Sequence, residues 1–253
     1  MWMLRTGALL AAFHASGLAS IFIVAISKDG VVAVADSRIT FSDAATGRAV
    51  AFADGLDKII RFDSAVMAET GQGFIGNERF DEFVRQFAKA AGPIGAGDIL
   101  PALLEYGGRN LPREDLAVLD KQHLAVAKFE AGKPLLCGYD GRLGCVEKGY
   151  IQSSPTDFAA LNDKLPAMSA LETATSARAS MQRYIAANGK STTMGGEFSA
   201  VLLTPVSARQ IWALSAPIRA KTEDELVDLV ARKKIPVTLV PPANWAELER
   251  LLQ

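Results

Sequence analysis

Residues 20–38, SIFIVAISKDGVVAVADSR, constrain the fold more than any other stretch of the chain. Two apolar runs, 21–26 and 31–35, flank Ser27-Lys28-Asp29-Gly30. Asp-Gly between β-branched runs predicts a hairpin, because glycine reaches the positive φ of a tight turn without steric cost. Neither run alternates apolar with polar residues, so both faces of the hairpin are expected to be buried. That requires packed layers on both sides. The second run ends in Asp36-Ser37-Arg38. An acid and a base emerging from a core strand form either a structural ion pair or part of a site, and these residues alone leave both readings open.

A doubly buried hairpin needs a large core, and 253 residues with 49% hydrophobic content supply one for one large domain or two small ones. The formal net charge of −1 argues against nucleic acid or an anionic membrane as the main partner. No apolar run approaches the roughly 20 residues of a membrane span. Two cysteines and two histidines make a Cys/His zinc site a poor expectation, and a Ser-His-Asp triad would depend on His14 or His123. No GxxxxGK[ST] phosphate loop occurs.

Residues 1–19 carry Arg5, an apolar stretch at 8–13, and small residues Gly17 and Ala19. This is the layout of a secretory signal with its cut before Ser20, which implies a periplasmic or secreted protein. A propeptide removed by the chain itself is the competing reading and allows a cytoplasmic location. A plain N-terminal extension is the third. The first two both leave Ser20 as the first residue.

Downstream, 42–55 is rich in Ala, Asp and Gly and reads as a long loop. Strands are expected at 57–62 and 65–70, then helices at 77–91, capped by Asn77, and at 98–106. Strands come next at 123–129, 134–139 and 143–148, helices at 153–164 and 170–188, and a last hairpin at 197–204 and 210–214. The tail adds a helix at 223–233, a strand at 236–240 and a helix at 245–252. This order predicts an α+β fold, a four-layer α-β-β-α sandwich of two mainly antiparallel sheets flanked by helix pairs. The expected units are 1–19, a domain over 20–220, and a helix–strand–helix extension over 221–253. Cys137 and Cys145 lie in one predicted hairpin. A three-residue loop centred on Gly141 puts them face to face within disulfide reach, whereas a two-residue loop at Asp140-Gly141 puts the sulfurs on opposite faces.

Taken with Asp57-Lys58-Ile59-Ile60, residues 20–38 resemble the β-subunits of the proteasome and its bacterial relative, the N-terminal-nucleophile (Ntn) hydrolases. In that family a nucleophile-led strand, a turn glycine and an apolar strand ending in an Asp-Ser-Arg-like triplet precede a strand begun by a lysine. An ungapped register on Asp36-Ser37-Arg38 puts Ser20 at the nucleophile position and Gly30 at the turn glycine. Lys58 falls on the catalytic lysine after a short insertion. The likeness is best over 20–75 and weaker to about residue 204.

The resemblance implies an amidohydrolase or peptidase that cleaves a peptide or small amide through an acyl-enzyme on Ser20, with no metal and no cofactor. The freed α-amine would be the base, Lys58 and Asp36 its charged support, and the Gly71 amide an oxyanion donor. Glu69 would line the substrate pocket and favour a basic or polar side chain. Ser153 matches a supporting family serine without its flanking glycines. Counting back from Gly195-Gly196, Ser191 stands where the family has Asp and Met194 where it has Ser. Members form rings, so the resemblance also implies a homo-oligomer. Two other classes remain: a catalytically silent scaffold of this fold, like the proteasome α-subunits, and a secreted binding domain in which Asp36 and Lys58 merely pair.

Overall fold

The computed structural model describes residues 20–43, 46–62 and 64–252. The expected leader, 1–19, lies outside the described residues. The two apolar runs form β1 (Phe22–Ser27) and β2 (Gly30–Asp36), paired from Ser27 opposite Gly30 to Phe22 opposite Ala35. Gly30 has φ +140°, and a Cβ there would sit 2.3 Å from the Leu203 carbonyl oxygen, so the turn also requires glycine for close packing.

The chain continues through β3 (Arg38–Ser42), β4 (Ala49–Asp54), β5 (Ile59–Phe62), β6 (Ala65–Thr70) and the short pair β7 (Phe74–Ile75) and β8 (Glu78–Arg79). Helices α1 (Phe80–Ala91), α2 (Ala96–Asn110) and α3 (Arg113–Leu119) come after them. Then come β9 (His123–Glu130), β10 (Lys133–Tyr139), β11 (Leu143–Val146) and β12 (Tyr150–Gln152). A 3-10 segment, Asp157–Ala167, leads to α4 (Ala170–Ala187), β13 (Phe198–Leu203) and β14 (Ala208–Trp212). The tail forms α5 (Glu223–Ala231), β15 (Thr238–Leu239) and α6 (Trp245–Leu251).

One sheet runs β12-β1-β2-β13-β14 and a second runs β11-β10-β9-β6-β5. Side chains of Phe22, Val24, Val31 and Ala33 meet Val66, Ala68, Ala125 and Leu136 in a shared core between them. The opposite face of the first sheet packs on α4 and the 3-10 segment, and that of the second on α1 and α2. Both faces of the β1–β2 hairpin are thus covered, as its unbroken apolar runs require. Among the described residues no helix is long and apolar enough to cross a membrane.

The expected pair of sheets, each flanked by two helices, is corrected by this topology. Among the described residues the chain forms antiparallel sheets of five, five, three and two strands, and the helices are not set as two flanking pairs. The three-stranded sheet, β15-β4-β3, arises where 42–55 was expected to be a loop. Val50, Ala51 and Ala53 are buried there against Ile218, Leu226 and Leu248, so the tail supplies the apolar cover that makes this segment a strand. At 157–167 a 3-10 segment replaces the expected α-helix, with Pro166 inside it unable to donate a backbone bond. Helix α1 starts at Phe80 rather than 77, with Arg79 at its N-cap making no side-chain cap bond.

The β10–β11 connection is the three-residue one. Tyr139 stands opposite Leu143 and Cys137 opposite Cys145, and the two cysteines are joined by a disulfide.

Candidate active site

Ser20 lies just ahead of β1, Asp36 is the last residue of β2, and Lys58 sits just before β5. The two inner strands therefore deliver a hydroxyl and a carboxylate to the same sheet end, and the second sheet adds an amine. All three side chains are buried. Lys58 Nζ donates to Ser20 Oγ at 2.5 Å, to Asp36 Oδ1 at 2.9 Å and to the Arg38 carbonyl at 2.6 Å. An ammonium has three N–H donors, and here three oxygens stand within reach of them. Its charge is balanced by Asp36, and a buried pair of this kind holds only when the remaining polar capacity is also satisfied. Asp36 meets that condition, since Oδ1 also accepts the Ile21 N–H at 3.0 Å and Oδ2 accepts the Gly195 N–H at 2.9 Å.

A hydroxyl that accepts from an ammonium keeps its own O–H for another partner and bears a more stable oxyanion. The serine, acid and lysine expected from sequence are thus brought together in one hydrogen-bonded cluster. The chain has no match among protein-family models or among curated proteins.

Ser20 and Lys58 open onto a narrow cleft with about 50 Å³ of room, and Gly71 lies on its wall beside Gln72 and Gly73. Gly71 has φ +134°, and a Cβ there would collide with the Gln122 side chain. Ser153 acts one step back. Its Oγ accepts the Phe22 N–H at 3.0 Å and its N–H donates to the Phe22 carbonyl, fixing the start of β1. Ser191 does not bring its side chain to the cluster as the aligned family acid would. It is exposed and offers its backbone carbonyl to the Arg38 guanidinium. Met194 is buried in the core beneath α4, an apolar filler where a polar group was counted.

Glu69 is placed elsewhere. Ala65 and Met67, four and two residues earlier on β6, face α1 and α2, and Glu69 shares their side of the strand. It is absent from the lining of the Ser20 cleft and lies near Ile60, Arg79, Phe80 and Asp81. Burial pushes its carboxyl up to about 8, with Lys58 lowering and Asp36 and Asp81 raising it to smaller degrees. Its Oε2 has no hydrogen-bond partner among the described residues.

Four participants were not singled out from sequence. Asp54 takes a two-pronged bond from Arg38, at 2.8 and 2.9 Å, with the guanidinium stacked 3.7 Å from the Phe52 ring centroid. Both residues fall in the stretch read as loop. Thr40 lines the cleft, and its hydroxyl donates to the Thr192 carbonyl at 3.3 Å. Glu223 and Leu226, from α5, also line the cleft. No local pattern marks a tail residue as part of a site at the other end of the chain.

Proposed function

We propose that this chain is a serine N-terminal-nucleophile amidohydrolase, similar in its catalytic logic to the proteasome β-subunits, acting on a small amide or peptide after release of residues 1–19. The single observation that carries this reading is the Lys58 ammonium 2.5 Å from Ser20 Oγ, with Asp36 neutralising it. With the preceding peptide bond cut, the α-amine of Ser20 has a reference pKa near 8 and holds a lone pair on a useful fraction of molecules. It takes the Ser20 O–H proton while Oγ attacks the substrate carbonyl carbon. Lys58 stabilises the developing charge on Oγ. We assign the Gly71 amide to the carbonyl oxygen as it becomes an oxyanion. Collapse expels the leaving amine, which receives the proton held by the α-amine, and leaves an ester on Ser20. Water, deprotonated by the same amine, then attacks that ester and frees the acid and the hydroxyl. No step needs a group that these residues do not supply.

The test joins intact mass to covalent trapping. The mature protein should begin at Ser20 and gain one acyl group there from a small neutral β-lactone. Ser20→Ala should gain none. Enzymatic N-terminal acetylation of the mature chain should also abolish labelling, because it removes the amine's lone pair. A chain that retains residue 19, or equal labelling of Ser20→Ala, sinks the mechanism.

A further inference from the structure

The wall of the Ser20 cleft that comes from α5 is acidic, and its three neighbouring acids differ in what they do. Asp224 is used in holding the helix in place. Its Oδ2 accepts from Asn77 Nδ2 at 2.7 Å, and its N–H donates to Asn77 Oδ1 at 3.1 Å. Glu225 is used as well, its Oε2 accepting the Lys221 N–H at 2.7 Å. Glu223 is anchored only through its backbone, donating to the Asn77 carbonyl at 3.1 Å. The residue lines the cleft, and its carboxylate makes no hydrogen bond or ion pair among the described residues.

The cations of the cleft are already spent. Lys58 is matched by Asp36 and Arg38 by Asp54. With the freed Ser20 amine in the neutral form that serves as base, an ionised Glu223 therefore leaves the cleft one negative charge in excess. Around it the walls are apolar, with Ile39, Leu56, Phe74 and Leu226. A carboxylate in such surroundings attracts a cation more strongly than one in water does.

We propose that Glu223 determines specificity by receiving the primary ammonium group of a small amide substrate whose carbonyl faces Ser20. A compact ammonium suits a narrow cleft better than a planar guanidinium. The charged form of Glu223 already bears a cost: burial first, then Asp224 and Asp115, push its carboxyl up to about 7. A bound ammonium relieves that cost. The preference for a basic group that the sequence attaches to Glu69 thus passes to a residue of the C-terminal extension. This assignment rests on the nucleophile reading above, and the two are separated by the experiment.

N-acetyl-lysyl and N-acetyl-norleucyl coumarylamides differ only in the terminal ammonium. The wild-type protein should prefer the lysyl amide, through KM rather than kcat. Glu223→Gln should lower the lysyl-to-norleucyl ratio of kcat/KM about 10- to 100-fold, the range of a charge-assisted bond in a partly buried site. Glu223→Asp should fall between the two, and Glu223→Lys should turn preference toward the glutamyl amide. A ratio that moves less than about threefold in Glu223→Gln overturns the proposal, since a charge-assisted bond is worth more than that. If the wild-type protein neither takes up the β-lactone nor turns over either amide, the nucleophile reading fails by itself. Calorimetric titration with butylammonium chloride then decides about Glu223. Binding weakened at least about tenfold in Glu223→Gln supports the site, and equal or absent binding overturns it.

Discussion

The two walls of the Ser20 cleft are built on opposite principles. On the hairpin side, every polar atom of the Asp36–Lys58 pair is engaged, the groups are buried, and the strands that carry Ser20 and Asp36 lie in the middle of a sheet. On the tail side, a half-buried carboxylate waits without a partner among the described residues, in the first turn of a helix whose start is tied to Asn77 and capped by Thr222. The first wall is rigid and complete before any ligand arrives, which is what charge stabilisation in a transition state demands. The second is incomplete until a ligand completes it, which is what selection among substrates demands.

The sharpest way to break this contrast is at Lys58. Lys58→Ala should reduce acylation of Ser20 by about 10² to 10⁴. It should also cost about 3 to 5 kcal/mol in chemical denaturation, because Asp36 is left as an uncompensated buried charge. Glu223→Gln, by comparison, should leave the denaturation midpoint almost unmoved. Equal losses of stability in the two variants would erase the distinction between the walls.

Glu69 offers a second, smaller effect just behind the first wall. Its carboxyl stays protonated in the fold up to about 8, whereas an unfolded chain releases that proton near 4.5. Between those values the native state holds the extra proton, so the Glu69 contribution is fully present below about pH 4.5 and is lost as pH rises to 8. Glu69→Gln holds no such proton. Its stability relative to wild type should climb from about pH 5 to about pH 8, by up to a few kcal/mol, and then level off. A flat difference across that window would show that Glu69 is ionised throughout. The smallest effect concerns the clamp on α5. Asn77→Ala removes an N-terminal partner of that helix and should cost about 1 kcal/mol. It should also blunt the lysyl-to-norleucyl ratio a few-fold by loosening Glu223, while β-lactone labelling of Ser20 proceeds at the wild-type rate.

The same contrast explains what could be read from the chain directly. Ser20, Asp36 and Lys58 lie close together in the chain, at or beside strands whose lengths and turn come from Val, Ile and Asp-Gly, so their convergence was legible in the spacing. Asn77 shows the limit. Its type signals a helix start, and it does serve one, but across 147 positions at α5 instead of at the adjacent α1. β4, inside the stretch read as loop, forms only because the tail covers it, and no window of that segment contains the tail. Glu69 was assigned by position to the cleft, yet the two-residue period of β6 turns it to the helices.

The disulfide has a consequence for how copies of this protein meet. β11 ends its sheet, and all four of its residues are exposed. Its tie to the interior is Cys145, bonded to the fully buried Cys137. With that bond reduced, a four-residue strand would be left with ladder hydrogen bonds to keep it on β10, and an isolated pairing so short is marginal in water. Fraying would bare the longer β10 edge, with Leu143 and Val146 swinging free beside it. An uncovered edge of seven residues is a template for the same strand of another molecule. One sulfur–sulfur bond thus acts as a guard against edge-to-edge aggregation, and a reducing surrounding would remove it.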